Sequence, residues 1–258
     1  MRKKVVIILM TGLLALVSGC TNKEINEKKD EITISVAASL TDPMNKIKEE
    51  YESANNVKIN INTGGSGTLK RQISEGADVD IFFSANEKFM KDLINEELVL
   101  KDEVYYPLKN SLVLVKNNAV SEQINEFADL IGLNKKIALG EVETVPAGEY
   151  AKEALSNMNL WEEIEANVVY GKDVKAVETY VESGDAGFGF IYKSDAKDFK
   201  NSQIVLEVPS KQHKEIIYVL APIKSSENHK ENIKIIEFIT SNRGKEIFEE
   251  YGFNMGDK

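Results

Sequence analysis

Residues 32–43, Ile32-Thr33-Ile34-Ser35-Val36-Ala37-Ala38-Ser39-Leu40-Thr41-Asp42-Pro43, read as a strand running into a helix. Ile32 to Val36 alternates apolar and polar at period two, as a strand does. Asp42 then has the side chain of an N-cap, and Pro43 suits the first helical position. Met44, Ile47 and Tyr51 recur at the spacing of a buried helical face. The pattern repeats downstream. Val57 to Ile61 alternates again, Gly64-Gly65-Ser66-Gly67-Thr68 makes a turn, and Leu69 and Ile73 stand four apart on a second helix. Val79 to Phe83, apolar except for Asp80, predicts a strand covered on both faces.

Repeated strand–helix units predict an α/β protein with a mostly parallel sheet. Ser111 to Lys116 and Glu215 to Leu220 are further strand candidates. Crossings near them would divide the chain into two α/β lobes, the second inserted into the first. Residues 32–112 and 216–258 would form lobe one and residues 113–215 lobe two. The C-terminal helix, with Ile235, Ile236, Ile239, Ile247 and Phe248, would return to lobe one. The 258 residues suffice for two lobes of about 100 residues each.

The N-terminus reads as a secretion signal over residues 1–19. Arg2, Lys3 and Lys4 precede an apolar run from Val5 to Val17, which is short for a membrane span. The run ends in Leu16-Val17-Ser18-Gly19-Cys20, matching the lipobox at which a bacterial lipoprotein is lipidated on its cysteine. Cys20 is the only cysteine of the chain, so no disulfide or thiolate metal site is expected. Residues 20–31 are polar and charged and read as a lipidated tether. The expected location is the extracytoplasmic face of the cell membrane, held there by the lipid alone. A net charge of −10 argues against a nucleic-acid partner, since phosphates call for a basic footprint.

Several enzyme signatures are missing. The two histidines, His213 and His229, have no second His or Cys at helical spacing to complete a zinc site. Gly65-Ser66-Gly67-Thr68-Leu69-Lys70 lacks the Walker spacing, and Gly184, Gly187 and Gly189 lead into a strand where a dinucleotide fingerprint would open a helix. No serine lies in a nucleophile elbow.

What the chain does offer is small, polar turns feeding helix starts. The leading N–H groups of a helix have no intrahelical partner, and the dipole is positive there, which suits an anion. Four such places are Ala37 to Thr41, Gly65 to Thr68, Val145-Pro146-Ala147-Gly148, and Gly171-Lys172-Asp173-Val174, with Asp173 as N-cap. Each also has a plainer reading: Ser39, Ser66 and Thr68 as caps, Pro146 as a helix-start proline, Val174 as a core residue, Tyr192 as an interface aromatic. Spacing alone supports an anion-binding α/β protein.

At these residues the chain resembles the molybdate-binding proteins of ABC transporters. The matching segments are Ala37-Ala38-Ser39-Leu40-Thr41, Ser66-Gly67-Thr68-Leu69, Asp80-Ile81-Phe82-Phe83-Ser84-Ala85, Val145-Pro146-Ala147-Gly148, Asp173-Val174, Ile191-Tyr192 and Tyr251-Gly252-Phe253. They fall in order over nearly the whole mature domain. The resemblance implies a two-lobed periplasmic-binding-protein fold of type II, with the ligand cleft between the lobes. It also implies a non-enzymatic monomer without a cofactor, delivering molybdate or tungstate to the permease and ATPase of an ABC importer. The oxyanion would be held by the hydroxyls of Ser39, Ser66 and Tyr192 and the backbone amides of Ala147 and Val174. None of these would be a direct cation ligand. Two departures stand out: Gly64-Gly65 replaces a turn that is often serine-rich, and Asn86, given no site role, stands where an acidic residue is frequent. Alternatives are another tetrahedral oxyanion such as sulfate, or a lipid-anchored α/β enzyme acting on a phosphorylated substrate.

Overall fold

The computed structural model describes residues 30–256. The expected signal segment, Cys20, at which lipidation is expected, and most of the expected tether lie outside the described residues.

In chain order the elements are β1 (Asp30–Ala37), α1 (Thr41–Ala54), β2 (Val57–Gly64), α2 (Ser66–Ser74), β3 (Ile81–Ser84) and α3 (Glu87–Asn95). There follow β4 (Tyr105–Lys109), β5 (Leu112–Asn117), β6 (Ile137–Gly140), α4 (Pro146–Asn157), α5 (Trp161–Ile164), β7 (Val168–Gly171), α6 (Val174–Ser183) and β8 (Phe188–Tyr192). The chain closes with β9 (Ser202–Glu207), β10 (Ile217–Pro222), α7 (His229–Thr240), α8 (Asn242–Glu250) and β11 (Asn254–Met255).

Two sheets organise them. The first has the order β11-β4-β10-β3-β1-β2 and the second β7-β6-β8-β5-β9. β1 lies inside the sheet, between β3 and the edge strand β2, and is buried on both faces: Ile32, Ile34 and Val36 are fully buried, and Ser35 nearly so. Successive residues of β3 point into different cores, Phe83 with the cluster around α1 and α8, Phe82 with Leu69, Phe89 and Leu93 of α2 and α3. Helices therefore cover both faces of the first sheet, which is why β3 and β10 are nearly continuous in apolar residues, whereas β1 and the edge strand β2 alternate.

The expectation of a mostly parallel sheet is corrected to two mixed sheets. β1 runs parallel to β2 and β3, and β6 parallel to β7 and β8. The strands joining the sheets run the other way: β5 is antiparallel to β8 and β9, and β10 antiparallel to β3 and β4. A strand arriving from another sheet has no crossover helix to impose parallel direction.

Three local expectations also change. Helix α1 begins at Thr41, with Leu40 at its cap position and no side-chain cap. A turn of 3-10 helix over Ala38–Leu40 precedes it, and Thr41 Oγ1 donates to the Ala38 carbonyl at 2.7 Å. Asp42 thus lies in the first turn rather than at the N-cap, and Pro43 follows where its missing N–H costs nothing. Strand β1 starts at Asp30, so Asp30 and Glu31, read as tether, pair with Val57 and Lys58. The C-terminal helix is two helices, split at Ser241, whose Oγ accepts the Gly244 N–H and caps α8.

Candidate functional site

The loops at the carboxyl ends of β1, β2 and β3 face those leaving β6 and β7, and a crevice of this kind is where open α/β sheets bind ligands. Here it holds a small, tightly walled cavity. Its walls are Ala37, Ala38, Ser39, Gly64, Gly65, Ser66 and Ala85 on the first-sheet side, and Val145, Pro146, Ala147, Val174 and Tyr192 on the second. All five residues singled out in the sequence therefore line one space.

The local reason for each placement is simple. Ser39 sits in the 3-10 turn between β1 and α1, Ser66 is the first residue of α2, and Val174 the first of α6. Ala147 is the second residue of α4, whose first position is Pro146. Tyr192 ends β8. Helices α1, α2, α4 and α6 thus all start at this cavity and direct their positive ends towards it. Asp173 caps α6 by accepting the Ala176 N–H at 2.8 Å, which leaves the first N–H groups of that helix uncapped.

The hydroxyls are arranged as donors. Ser66 Oγ, fully buried, accepts the Ala85 N–H at 3.1 Å, so its own hydrogen remains to be given. Ser39 Oγ lies 2.8 Å from the Tyr218 hydroxyl. Tyr192 Oη is buried and has no hydrogen-bond partner among the described residues. Burial, with Tyr218 and Tyr150 nearby, holds its phenol well above the ordinary tyrosine range, so it stays protonated and able to donate. Among the described residues, no Asp, Glu, His, Lys or Arg lines the cavity. Such walls suit a ligand that only accepts hydrogen bonds.

The two sides meet around this space. Gly67 donates its N–H to the Thr144 carbonyl at 2.8 Å. Gly65 approaches so closely that a Cβ there would lie 2.8 Å from Thr144 O and 3.1 Å from Lys172 O. A serine at 65 would collide here, which accounts for Gly65, whereas a Cβ at Gly64 would meet only the Leu69 side chain at an ordinary 3.4 Å. Asn86, given no site role in the sequence, caps α3 by accepting the Lys88 N–H and donates Nδ2 to Glu149 Oε2 at 3.0 Å, across the cleft. An acidic residue at 86 would face that carboxylate.

Beside the cavity lies a charged cluster. Lys175 Nζ stands 3.2 Å from Asp42, 2.9 Å from Glu178 and 3.7 Å from Asp195. Burial, only partly offset by Lys175, pushes the Asp195 carboxyl up to about 7. Burial pulls the Lys175 ammonium the other way, but the surrounding carboxylates prevail and keep it charged. Sequence reading missed Tyr218, Asn110, Ala85, Thr144 and Lys175. Tyr218 sits in an apolar strand and looks like core, Ala85 lines the cavity as an alanine just past the end of β3, and Asn110, Thr144 and Lys175 meet the site through contacts distant in sequence.

Comparison with known proteins follows this geometry. The sequence model described as bacterial extracellular solute-binding protein matches residues 32–254. A Bacillus subtilis protein provisionally named an ABC transporter substrate-binding lipoprotein is 38% identical over 251 residues, 96% of each chain. The molybdate-binding protein of Haemophilus influenzae is 31% identical, covering 87% of this chain and 90% of its own. Among solved structures, the substrate-binding domain of a provisionally named molybdenum ABC transporter from Clostridium difficile superposes with a TM-score of 0.68 at 41% identity. It covers 89% of this chain and 100% of its own.

Proposed function

We propose that this chain, which belongs to the family of bacterial extracellular solute-binding proteins, captures molybdate or tungstate in its cleft and hands it to an ABC importer. Its fold is the two-lobed type II arrangement of periplasmic binding proteins. The observation that carries the proposal is the cavity itself: Ser39, Ser66, Ala147, Val174 and Tyr192 meet there, at four helix starts, and among the described residues no ionisable side chain lines it but the neutral tyrosine.

Molybdate and tungstate at neutral pH are bare dianions of nearly equal size that only accept hydrogen bonds. Three hydroxyls and two amides supply donors, and converging helix ends add favourable potential. Phosphate still carries a proton at pH 7, and that proton would meet donors only, at the cost of an unpaired buried polar group. Sulfate is also a bare dianion but smaller, so cavity size is what would reject it. The names of the Haemophilus influenzae and Clostridium difficile relatives point to the same ligand class. A receptor of this kind performs no reaction, and we assign it none.

We place the lobe crossings at residues 110–112 and 208–216, close to the divisions read from sequence. We further propose that the chain acts as a monomer, lipidated at Cys20 on the extracytoplasmic face. The lipoprotein name of the Bacillus subtilis relative supports the anchor. Among the described residues no helix is long and apolar enough to cross a membrane. The test is thermal unfolding of the full chain with molybdate, tungstate, sulfate and phosphate. Molybdate and tungstate should raise the midpoint together, by several degrees at saturation. Equal stabilisation by phosphate, or none by molybdate, would contradict the assignment.

A further inference from the structure

Tyr218 of β10 does not line the cavity, yet its hydroxyl touches a residue that does. It is fully buried, 2.8 Å from Ser39 Oγ and 3.4 Å from Asn110 Nδ2. The direction of these bonds follows from counting donors. Asn110 lies where the chain passes from β4 to β5. Its Oδ1 accepts the Ser111 N–H at 2.9 Å, which fixes the amide so that Nδ2 faces Tyr218 and donates to Ser194 Oγ at 2.9 Å. Nδ2 can only donate, so the Tyr218 oxygen accepts from it.

The Tyr218 hydrogen then has one acceptor among the described residues, Ser39 Oγ. Burial, together with the negative charge of Asp195, holds that phenol well above its ordinary range and keeps the hydrogen in place. Ser39 therefore receives a hydrogen from Tyr218, and its own hydrogen turns to the cavity. The reverse sense would leave the Tyr218 hydroxyl hydrogen buried without a partner, an unfavourable state.

We infer that Tyr218, oriented by Asn110, is a specificity-determining residue: it fixes Ser39 as a hydrogen donor and so makes the cavity select fully deprotonated oxyanions over protonated ones. The inference rests on the cavity being the oxyanion site. Its chain of bonds runs from Ser111 N–H through Asn110 and Tyr218 to Ser39, which ties the crossover between lobes to the hydroxyl facing the ligand. Ser66 is treated in the same way by the Ala85 N–H, but from a backbone donor that no side-chain change removes.

The test is calorimetric titration of the full, detergent-solubilised chain with molybdate and with inorganic phosphate at pH 7, for wild type, Tyr218→Phe and Asn110→Ala. In Tyr218→Phe the ring stays and the hydroxyl goes, so Ser39 can rotate and accept the proton of phosphate. Molybdate should bind about tenfold more weakly, the equivalent of one lost hydrogen bond. Phosphate should hold or gain, so the molybdate-to-phosphate ratio falls tenfold or more. Asn110→Ala, which keeps the Tyr218 hydroxyl but frees its sense, should shift the ratio in the same direction by less, and it decides the matter if Tyr218→Phe does not fold. An unchanged ratio, or equal losses for both anions, would overturn the inference while leaving the site intact. A wild-type chain that fails to bind molybdate would instead remove the site on which it rests.

Discussion

Lys175, the second residue of α6, reaches across the cleft to Asp42 in the first turn of α1, with Nζ 3.2 Å from Oδ2. The pair joins the two sides next to the cavity that Ser39 lines. Asp42 is more than half exposed, so the pair is a modest latch, worth about 0.2–1 kcal/mol. Asp42→Asn should weaken molybdate binding up to about fivefold, mainly through faster dissociation. Stopped-flow release at low and high salt checks this: the difference from wild type should vanish at high salt, where the pair is screened.

Gly65 sets how closely the sides approach. Gly65→Ser introduces a Cβ that meets the Thr144 carbonyl at 2.8 Å, and both contacts are backbone, which cannot swing aside. The variant should fold with near-normal stability yet fail to close. Small-angle scattering should show wild type compacting with molybdate and the variant unchanged. Normal compaction of the variant would show that the close approach is dispensable.

Ser39→Ala and Ser66→Ala each remove one donor to a charged ligand. Each should cost about 1.5–3 kcal/mol of molybdate affinity, roughly ten- to a hundredfold, measured by titration calorimetry. Ser66→Ala should also lower thermal stability slightly without ligand, because the buried Ala85 N–H loses its acceptor.

Asp195 gives the site a pH dependence that the cavity lining does not suggest. Its folded pKa of about 7 lies above the unfolded value of about 3.9. A raised carboxyl pKa means the folded state holds the proton more tightly. The stability this gives is complete below about pH 4 and is lost as pH rises through 7. Ionisation also adds negative charge that acts on Tyr192 and Tyr218 beside the cavity. Anion affinity should therefore fall gently from pH 6 to 8 and stay flat in Asp195→Asn. Thermal unfolding at pH 5 and 8 should show wild type losing stability relative to the variant. Parallel behaviour of the two would place the Asp195 titration elsewhere.

Much of the architecture was legible in the sequence because local chemistry decides it. The alternation in Ile32 to Val36, the Pro146 helix start and the Asp173 cap all depend on neighbouring residues, and the helix starts carry the site. Where tertiary packing decides, sequence reading fell short. Asp42 looked like a cap because Asp-Pro opens many helices, but the helix follows directly on the 3-10 turn at Ala38–Leu40 and starts two residues earlier, at Thr41, which leaves Asp42 in the first turn and beside Lys175. The direction of β5 and β10 is fixed by their return between sheets, which no local pattern records. Asp80, read as a polar break in an apolar strand, lies just before β3 and proves to be a structural carboxylate. It accepts the Thr33 N–H at 2.8 Å and bonds Ser226 and Asn228, remote from the cleft.

The central claim is that hydrogen donors from both lobes hold a tetrahedral oxyanion in the cavity between β1, β2, α4 and α6. A crystal structure grown with molybdate, with the metal located by its anomalous scattering, tests it most directly. The account predicts a single strong peak in the cavity. The oxyanion's oxygens should lie about 2.7–3.1 Å from the hydroxyls of Ser39, Ser66 and Tyr192 and the backbone nitrogens of Ala147 and Val174. A peak outside the cavity, or none at saturating molybdate, would contradict it.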